Sequence, residues 1–431
     1  MWPFNPVKEF KESATGVLMY LQTLGRAVWT PRDYENLARE AYMRNAVAYR
    51  CVRLIAEASA SIDWLVYEGD RILDTHPLMS LLRKPNPMEG GVELMERFYS
   101  FLQLSGNSYI ETVVLDQQIR ELWVLRPDRM RVEIDRRGYP AAFIYKAGQN
   151  EHRFDMNVGG GVQQPILHMK SFHPTNDTYG LAPVEAGAFA IDVHNSAGRF
   201  NKALLDNQAR PSGALVYSGG KDGKGVMSDD QFARMKQEME DKYQGARNAG
   251  RPLLLEGGLD WKEMGVNPRD LEFVEGKREA AREVALAFGV PPMMLGIPGD
   301  NTYANYAEAN KAFYRQTILP LVGKVCMAIT NFMTPTYGDD FRLWYDIDEI
   351  PALALERDAV WDKVRSADWL TVDEKRSATG YQKYDKPTEA ELEREPGRTL
   401  LVSANQIPID DLGLTMGGPF TGPPGGGGGA A

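Results

Sequence analysis

Cysteine is almost missing from this chain: 431 residues contain only Cys51 and Cys326. Both fall within helical apolar patterns, so no disulfide framework is available, and the two thiols read as buried groups in a reducing compartment. An excess of positive charge is missing as well. Lys and Arg number 49 against 59 Asp and Glu, a formal net charge of −10. That balance argues against a protein gripping nucleic acid over its whole surface, because neutralised phosphates supply most of such affinity. It suits a conduit along which DNA slides, and equally many unrelated soluble proteins. The N-terminus, MWPFNPVKEFKES, has no sustained apolar core ahead of its charges, which predicts no secretory signal. No run of roughly eighteen uninterrupted apolar residues occurs, which predicts no membrane-spanning helix.

Motifs for catalysis are missing too. The segment SGGKDGKG, Ser218 to Gly225, lacks the first glycine of a phosphate-binding loop and a Ser or Thr after Lys224. It is expected to be a mobile hairpin loop. His168 and His173, with Asp177 nearby, sit at a spacing that matches no usual helical or finger metal site. The acids Asp339, Asp340, Asp346, Asp348 and Glu349 suggest a two-metal nuclease centre. The alternation of Phe341, Leu343, Tyr345 and Ile347 explains them instead as the solvent face of a strand. No serine elbow and no Cys–His pairing stands out. The chain is therefore expected to be no enzyme and to hold no metal or cofactor. A metal-dependent nuclease using Asp346, Asp348 and Glu349 is the alternative of a different class.

What the sequence does contain is 43% hydrophobic residues, ordinary for a globular protein and enough for two or three domains. Its most informative stretch is NAVAYRCVRLIAEASASIDWLVY, Asn45 to Tyr67. Val47, Cys51, Leu54, Ile55 and Ala58 recur as one helical face, and Ile62, Trp64 and Val66 then alternate as in a half-buried strand. A short helix is predicted from His76, ended by Pro85 and Pro87. Another runs from Val92 to Leu104, with Leu94, Phe98, Phe101 and Leu102 inward, and is broken at Gly106-Asn107. Strands follow at Tyr109–Leu115, Leu122–Leu125, Arg131–Ile134 and Phe143–Tyr145, completing an α+β first part.

From Gly180 the pattern becomes a long helix reaching about Gln208, roughly 35 Å at ~1.5 Å per residue, with Pro183 in its first turn. Its small residues, among them Gly187, Ala190, Ala197 and Gly198, suit close packing with neighbours, as in a ring, or an ordinary internal helix. A compact α/β insertion, 209–267, holds strands at Ala214–Tyr217, Pro252–Glu256 and Asp260–Met264 and a helix capped by Ser228. A second helix, Arg269 to Phe288, keeps Val274, Ala281, Val284, Ala285 and Phe288 on one face, so that two paired helices carry the insertion at their tip. A Pro/Gly-rich loop, Gly289 to Asn305, is long enough to be functional. It leads into a helix whose face is Tyr306, Ala309, Phe313, Thr317, Leu321, Val325, Ala328 and Phe332, with a kink expected at Pro320. A strand at Phe341–Ile347, helices at Leu353–Arg365 and Thr371–Ala378 with a Thr371/Glu374 capping box, and a Gly-rich flexible tail complete the chain.

Several of these stretches, in order, resemble the portal proteins of long-tailed bacteriophages. They are NAVAYRCVRLIAEASASIDWLVYEG, HPLMSLLRKPNP, SGNSYIE with ELWVLRPDRMRVE, ILHMKSFHPTNDTYGLAPVEA, REVALAFGVPPMMLGIPGDNTYANYAEANKAFYRQTILPLV, DWLTVDEKRSATGY and LLVSANQIPIDDL. They span about residues 42–412. The resemblance implies a dodecameric ring at the capsid vertex of a phage, prophage or gene-transfer particle, through which double-stranded DNA is packaged and ejected. It implies an N-terminal arm (1–30), a wing (31–180 and, with the kinked helix, 306–352), two stem helices (181–208 and 268–289), a clip (209–267), a tunnel loop (290–305), a short crown (353–395) and a tail (396–431). Ile297, Asp300, Asn301, Thr302 and Tyr303 would form the loop near DNA. Lys221, Lys224, Arg234, Lys236, Arg247 and Arg251 of the clip would contact the large terminase and the head-completion adaptor. The major capsid protein would surround the ring, and no membrane is involved. Gly187, Ala190, Ala197 and Gly198 would pack the stems against each other.

Overall fold

The computed structural model describes residues 29–69, 71–73, 75–116, 118–156, 163–206, 213–217, 230, 233–234, 237, 259–263, 273–297, 303–380, 401–402 and 407–408. A short helix α1 (Tyr34–Leu37), capped by Asp33, winds on through a π-type turn, Ala38–Met43. Asn45 then caps α2 (Ala46–Ala60), its side-chain oxygen accepting from the Val47 and Ala48 amides, each at 3.0 Å. Those amides need an outside acceptor because the first turn of a helix supplies none. Next come β1 (Trp64–Glu68), β2 (Arg71–Leu73), α3 (Pro77–Arg83) and α4 (Gly91–Ser105). Gly106 ends α4 with φ +69°, and a β-carbon there would lie 2.5 Å from the Leu181 carbonyl carbon.

The strands β3 (Asn107–Leu115), β4 (Gln118–Leu125), β5 (Met130–Ile134), β6 (Pro140–Ala147), β7 (Asn150–Asp155) and β8 (Ile166–Lys170) form two antiparallel sheets, ordered β4-β3-β8 and β5-β6-β7. Nothing in the pattern of β7 marks it in advance, since nearly all of NEHRFD is exposed; its pairing with β6 makes it a strand. Between the sheets Tyr109, Leu125, Met130, Phe143 and Ile166 form a small separate core.

The predicted 181–208 helix is two pieces, α5 (Pro183–Ala186) and α6 (Ala188–Asp206), broken at Gly187. The break sits where α7 (Phe273–Phe288) crosses: a β-carbon on Gly187 would be 3.1 Å from that of Ala287. Between α6 and α7 the strands Gly213–Tyr217 and Leu259–Glu263 pair antiparallel, joining the two ends of the insertion. The predicted strand at Pro252–Glu256 lies outside the described residues. On α7, Ala281, Val284, Ala285 and Phe288 are buried as expected, whereas Val274 is exposed.

A continuous helical rod follows: α8 (Tyr303–Phe313), a π-type turn (Tyr314–Ile318) and α9 (Leu319–Tyr337). The π turn inserts one extra residue and rotates the buried face. Tyr306, near the start of α8, is exposed, and the core side of α9 is Val322, Val325, Cys326, Ile329 and Met333. Pro320 follows directly on that wider turn, which accommodates its missing N–H. By length and hydropathy Asn305–Tyr337 is apolar enough to cross a membrane, but Val322, Val325 and Cys326 are fully buried in the chain's own core. A further strand, Phe341–Tyr345, pairs with β1 (Leu343 opposite Val66), so the chain's second half closes the first sheet. Helices Ala354–Arg365 and Val372–Ala378 follow, the latter with its Thr371/Glu374 capping box formed, and the short strands Leu401–Val402 and Ile407–Pro408 pair antiparallel beyond them.

The main core joins α2, α4, α7 and α9. On α2 its centre is Ala48, Val52, Ile55 and Ala56, while Val47, Leu54 and Ala58 are only partly buried. The helix is packed on more than one side, so its buried face is wider and rotated relative to the predicted stripe.

Candidate functional site

The loop between α7 and α8 was expected to span Gly289 to Asn305, but most of it is fixed. Gly289, at φ +68°, ends α7, and the Thr317 hydroxyl donates to its carbonyl at 2.7 Å. The Val290 amide closes the helix end by donating to the Ala285 carbonyl at 2.9 Å. Pro292–Leu295 then form a 3-10 turn ended by Gly296, again left-handed at φ +70°. Ile297 is buried at 8% exposure, so it anchors the loop rather than projecting from it. Tyr303 opens a helix and is not a loop residue. Asp300, Asn301 and Thr302 lie outside the described residues, within the short span 298–302 between these two anchors.

The helix pair beside the loop is held at its base by buried polar groups. Asn45, having capped α2 with its oxygen, donates with its amide nitrogen to the Asn195 side chain (2.9 Å) and to Nδ1 of His194 (3.1 Å). The Asn195 amide donates in turn to the Glu40 carbonyl at 2.9 Å. Burial, reinforced by the nearby Lys277 charge, pushes the His194 pKa down, and its neutral ring serves as the acceptor. One turn earlier, Asp192 accepts from both the amide (2.9 Å) and the hydroxyl (2.5 Å) of Thr30, while Trp29 stacks on Phe189 with ring centroids 4.8 Å apart. These contacts tie the chain's entry, α2 and the 188–206 helix into one rigid base. The sequence alone assigned no such role to Asn45, Asp192, His194 or Thr317, because single polar residues in an apolar pattern carry no motif. A cap-forming Asn ahead of a helix was the one available signal.

The small residues of the 188–206 helix serve mainly the chain itself. Ala190 and Ala197 are buried and Gly187 meets α7, while a β-carbon on Gly198 would meet nothing within 4 Å. Of the basic clip residues, Arg234 lies on an exposed helical position. Lys221, Lys224, Lys236, Arg247 and Arg251 lie outside the described residues.

The groups weighed for metal chemistry do not converge. Asp346, Asp348 and Glu349 sit in the turn after the Phe341–Tyr345 strand rather than on its solvent face, and Asp346 accepts from the Asp348 amide at 2.9 Å. Ile347, expected inside, is 52% exposed, because the strand ends two residues earlier. His168 is stacked on Tyr109 at 4.4 Å, in the small core, while His173 accepts from the Thr175 amide at 3.1 Å. Among the described residues no three His, Cys, Asp or Glu side chains gather as a metal site.

The chain thus combines an α+β body, a helix pair carrying an insertion and a short anchored loop at the pair's base. The phage portal protein family matches residues 46–380 of this chain. The chain belongs to the phage portal protein family. Portal proteins are structural rather than enzymatic. This portal protein is 51% identical to a chain in the neck of an empty gene transfer agent particle computed with C6 symmetry, with 84% of this chain and 96% of that one covered at a TM-score of 0.66. It is 49% identical to a chain in the neck of a native particle of that kind computed with C12 symmetry, covering 86% and 99% at a TM-score of 0.63. The portal protein of Enterobacteria phage HK97 is 23% identical, over 69% of each chain.

Proposed function

We propose that this portal protein forms a dodecameric ring at the neck vertex of a gene transfer agent or related phage particle, and that double-stranded DNA enters and leaves through the ring's channel. The likeness to gene transfer agent neck chains, at 51% identity over 84% of the sequence, carries this reading. A closed ring needs a heterologous interface in which two different faces of one chain meet on neighbouring copies. The paired helices offer such faces: Leu286 on α7 is 78% exposed and Phe189 on the 188–206 helix is 56% exposed. Exposed large apolar side chains on a rigid element suit contact with a neighbouring subunit.

In this assignment residues 31–180 and 306–352 are the wing, 181–208 and 268–289 the stem, 209–267 the clip and 353–395 the crown. The 298–302 span, pinned by Ile297 and the start of α8, reaches toward DNA. There Asp300 repels phosphate while Asn301 and Thr302 make weak contacts without sequence preference, favouring transit over capture. The clip's basic residues, Arg234 among them, dock the large terminase and then the head-completion adaptor, and the wing meets the major capsid protein. The test is single-particle electron microscopy and light scattering on the purified chain, alone and with its particle's capsid protein. A ring with a central hole is expected. A chain that stays monomeric under both conditions overturns the proposal.

A further inference from the structure

The segment that enters the fold builds an open cavity on the helix pair. Trp29, Thr30 and Arg32 cross the start of α6 and, with Ala188, Phe189 and Asp192, enclose about 320 Å³. Its walls are fixed: Trp29 stacks on Phe189, Asp192 accepts twice from Thr30, and the Arg32 guanidinium donates to the Glu185 carbonyl at 3.1 Å. The stacked rings nonetheless stay half exposed, Trp29 at 50%. Two large aromatic side chains held in water at a rigid site gain from being covered.

The geometry of α6 keeps its partner helix from covering them. Gly187 faces α7, where an added β-carbon would meet Ala287, and Ala190, Ile191 and Ala197 are buried. At about 100° per residue, Phe189 lies roughly 200° round from Gly187, on the side away from α7. Leu286 is placed in the same way on α7: Val284, Ala285 and Phe288 form the buried side, and Leu286 projects from the opposite one. One turn before it stands Glu283, exposed and in no ion pair among the described residues, whereas Glu279 is paired with Arg282. At the cavity's rim Arg32 is likewise exposed and pairs with no carboxylate, the neighbouring Asp192 being engaged by Thr30. One side of the helix pair therefore offers an apolar knob with an acid beside it, and another an aromatic socket with a base beside it. Those are the two unlike, complementary faces that a heterologous contact between copies requires.

We propose that Leu286 of one copy seats in the Trp29/Phe189 cavity of the next, with Glu283 of the first copy against Arg32 of the second. The socket is built by the segment entering the fold, so residues 29–32 become part of the subunit contact. This assignment rests on the ring reading and names the residues that close the ring.

The test places Arg32→Glu and Glu283→Arg in the full chain, singly and together, under the conditions in which the wild type closes into rings. Sedimentation follows assembly, and circular dichroism checks that each variant is folded. Each single reversal should raise the concentration needed for half assembly about tenfold. The double variant should return to within about twofold of the wild type, because opposite charges then face each other again at every joint. Single variants that assemble like the wild type, or a double variant that does not recover, overturn this contact and leave the ring standing. A wild type that forms no ring overturns the ring reading and this contact with it. A second measurement treats assembled Arg32→Cys with Glu283→Cys with a short bis-maleimide, the native Cys51 and Cys326 being fully buried and silent. Covalent dimers and higher oligomers, absent from either single variant, are expected. Cross-links confined to one chain, or none, overturn the proposal.

Discussion

Tyr99 is fully buried in the main core, yet its hydroxyl has no hydrogen-bonding partner among the described residues. A buried, unpaired hydroxyl is destabilising, so Tyr99→Phe should raise stability by about 1 kcal/mol, read from the urea midpoint. His168 makes the opposite kind of contribution. Burial first, and the Lys170 charge second, hold its pKa down from 6.5 to about 3. Its ring is neutral, and because Asn107 Oδ1 already accepts from the Gly180 amide at 2.8 Å, Nε2 is the donor to that same oxygen at 3.1 Å. The folded pKa lies below the unfolded one, so the unfolded chain binds more protons between these values. Stability is therefore present above pH 6.5 and falls by about 1.4 kcal/mol per unit as pH drops toward 3. Thermal unfolding from pH 7 to 4 should show this slope, and His168→Gln should flatten it. Gly106→Ala combines a positive φ with a 2.5 Å approach to backbone. It should cost about 3 kcal/mol, checked by the same melts.

At the scale of elements, the decisive devices are ends and joints rather than helix interiors. Asn45 both caps α2 and holds the 188–206 helix, so Asn45→Ala should lose about 2–3 kcal/mol, more than a simple cap. Hydrogen exchange at Val47 and Ala48 would report the capping part separately. Most helices and the central strands were legible in the sequence, because 3.6- and 2-residue periodicities and Gly or Pro punctuation are local signals. Three features were not. The exposed β7 exists only through its pairing with β6, and the Gly187 break is placed by the approach of Ala287. The π turn at Tyr314–Ile318 rotates the rod's face in a way no single periodicity can express.

For the whole molecule, ring assembly and chain folding should separate. Leu286 is 78% exposed and sits on the outer side of α7, so Leu286→Asp should leave the chain folded by circular dichroism. Sedimentation should show it failing to form the ring that the wild type forms, since a charge placed in a repeated apolar contact is penalised at every copy. A Leu286→Asp chain that still closes into rings would move the interface elsewhere on the molecule.

The sequence alone determined the α+β class, the order of most elements, the burial of both cysteines and the likeness to portal proteins, for these are written in local periodicity and in ordered stretches of residues. Tertiary structure decided what faces what. It turned Ile297 inward, spent Ala190 and Ala197 inside the chain, dispersed the acids and histidines weighed for metal chemistry, and built the polar base around Asn45, His194 and Asp192. Those outcomes depend on residues far apart in sequence meeting in space, as Asn45 and Asn195 do across 150 positions, and no local pattern encodes such a meeting.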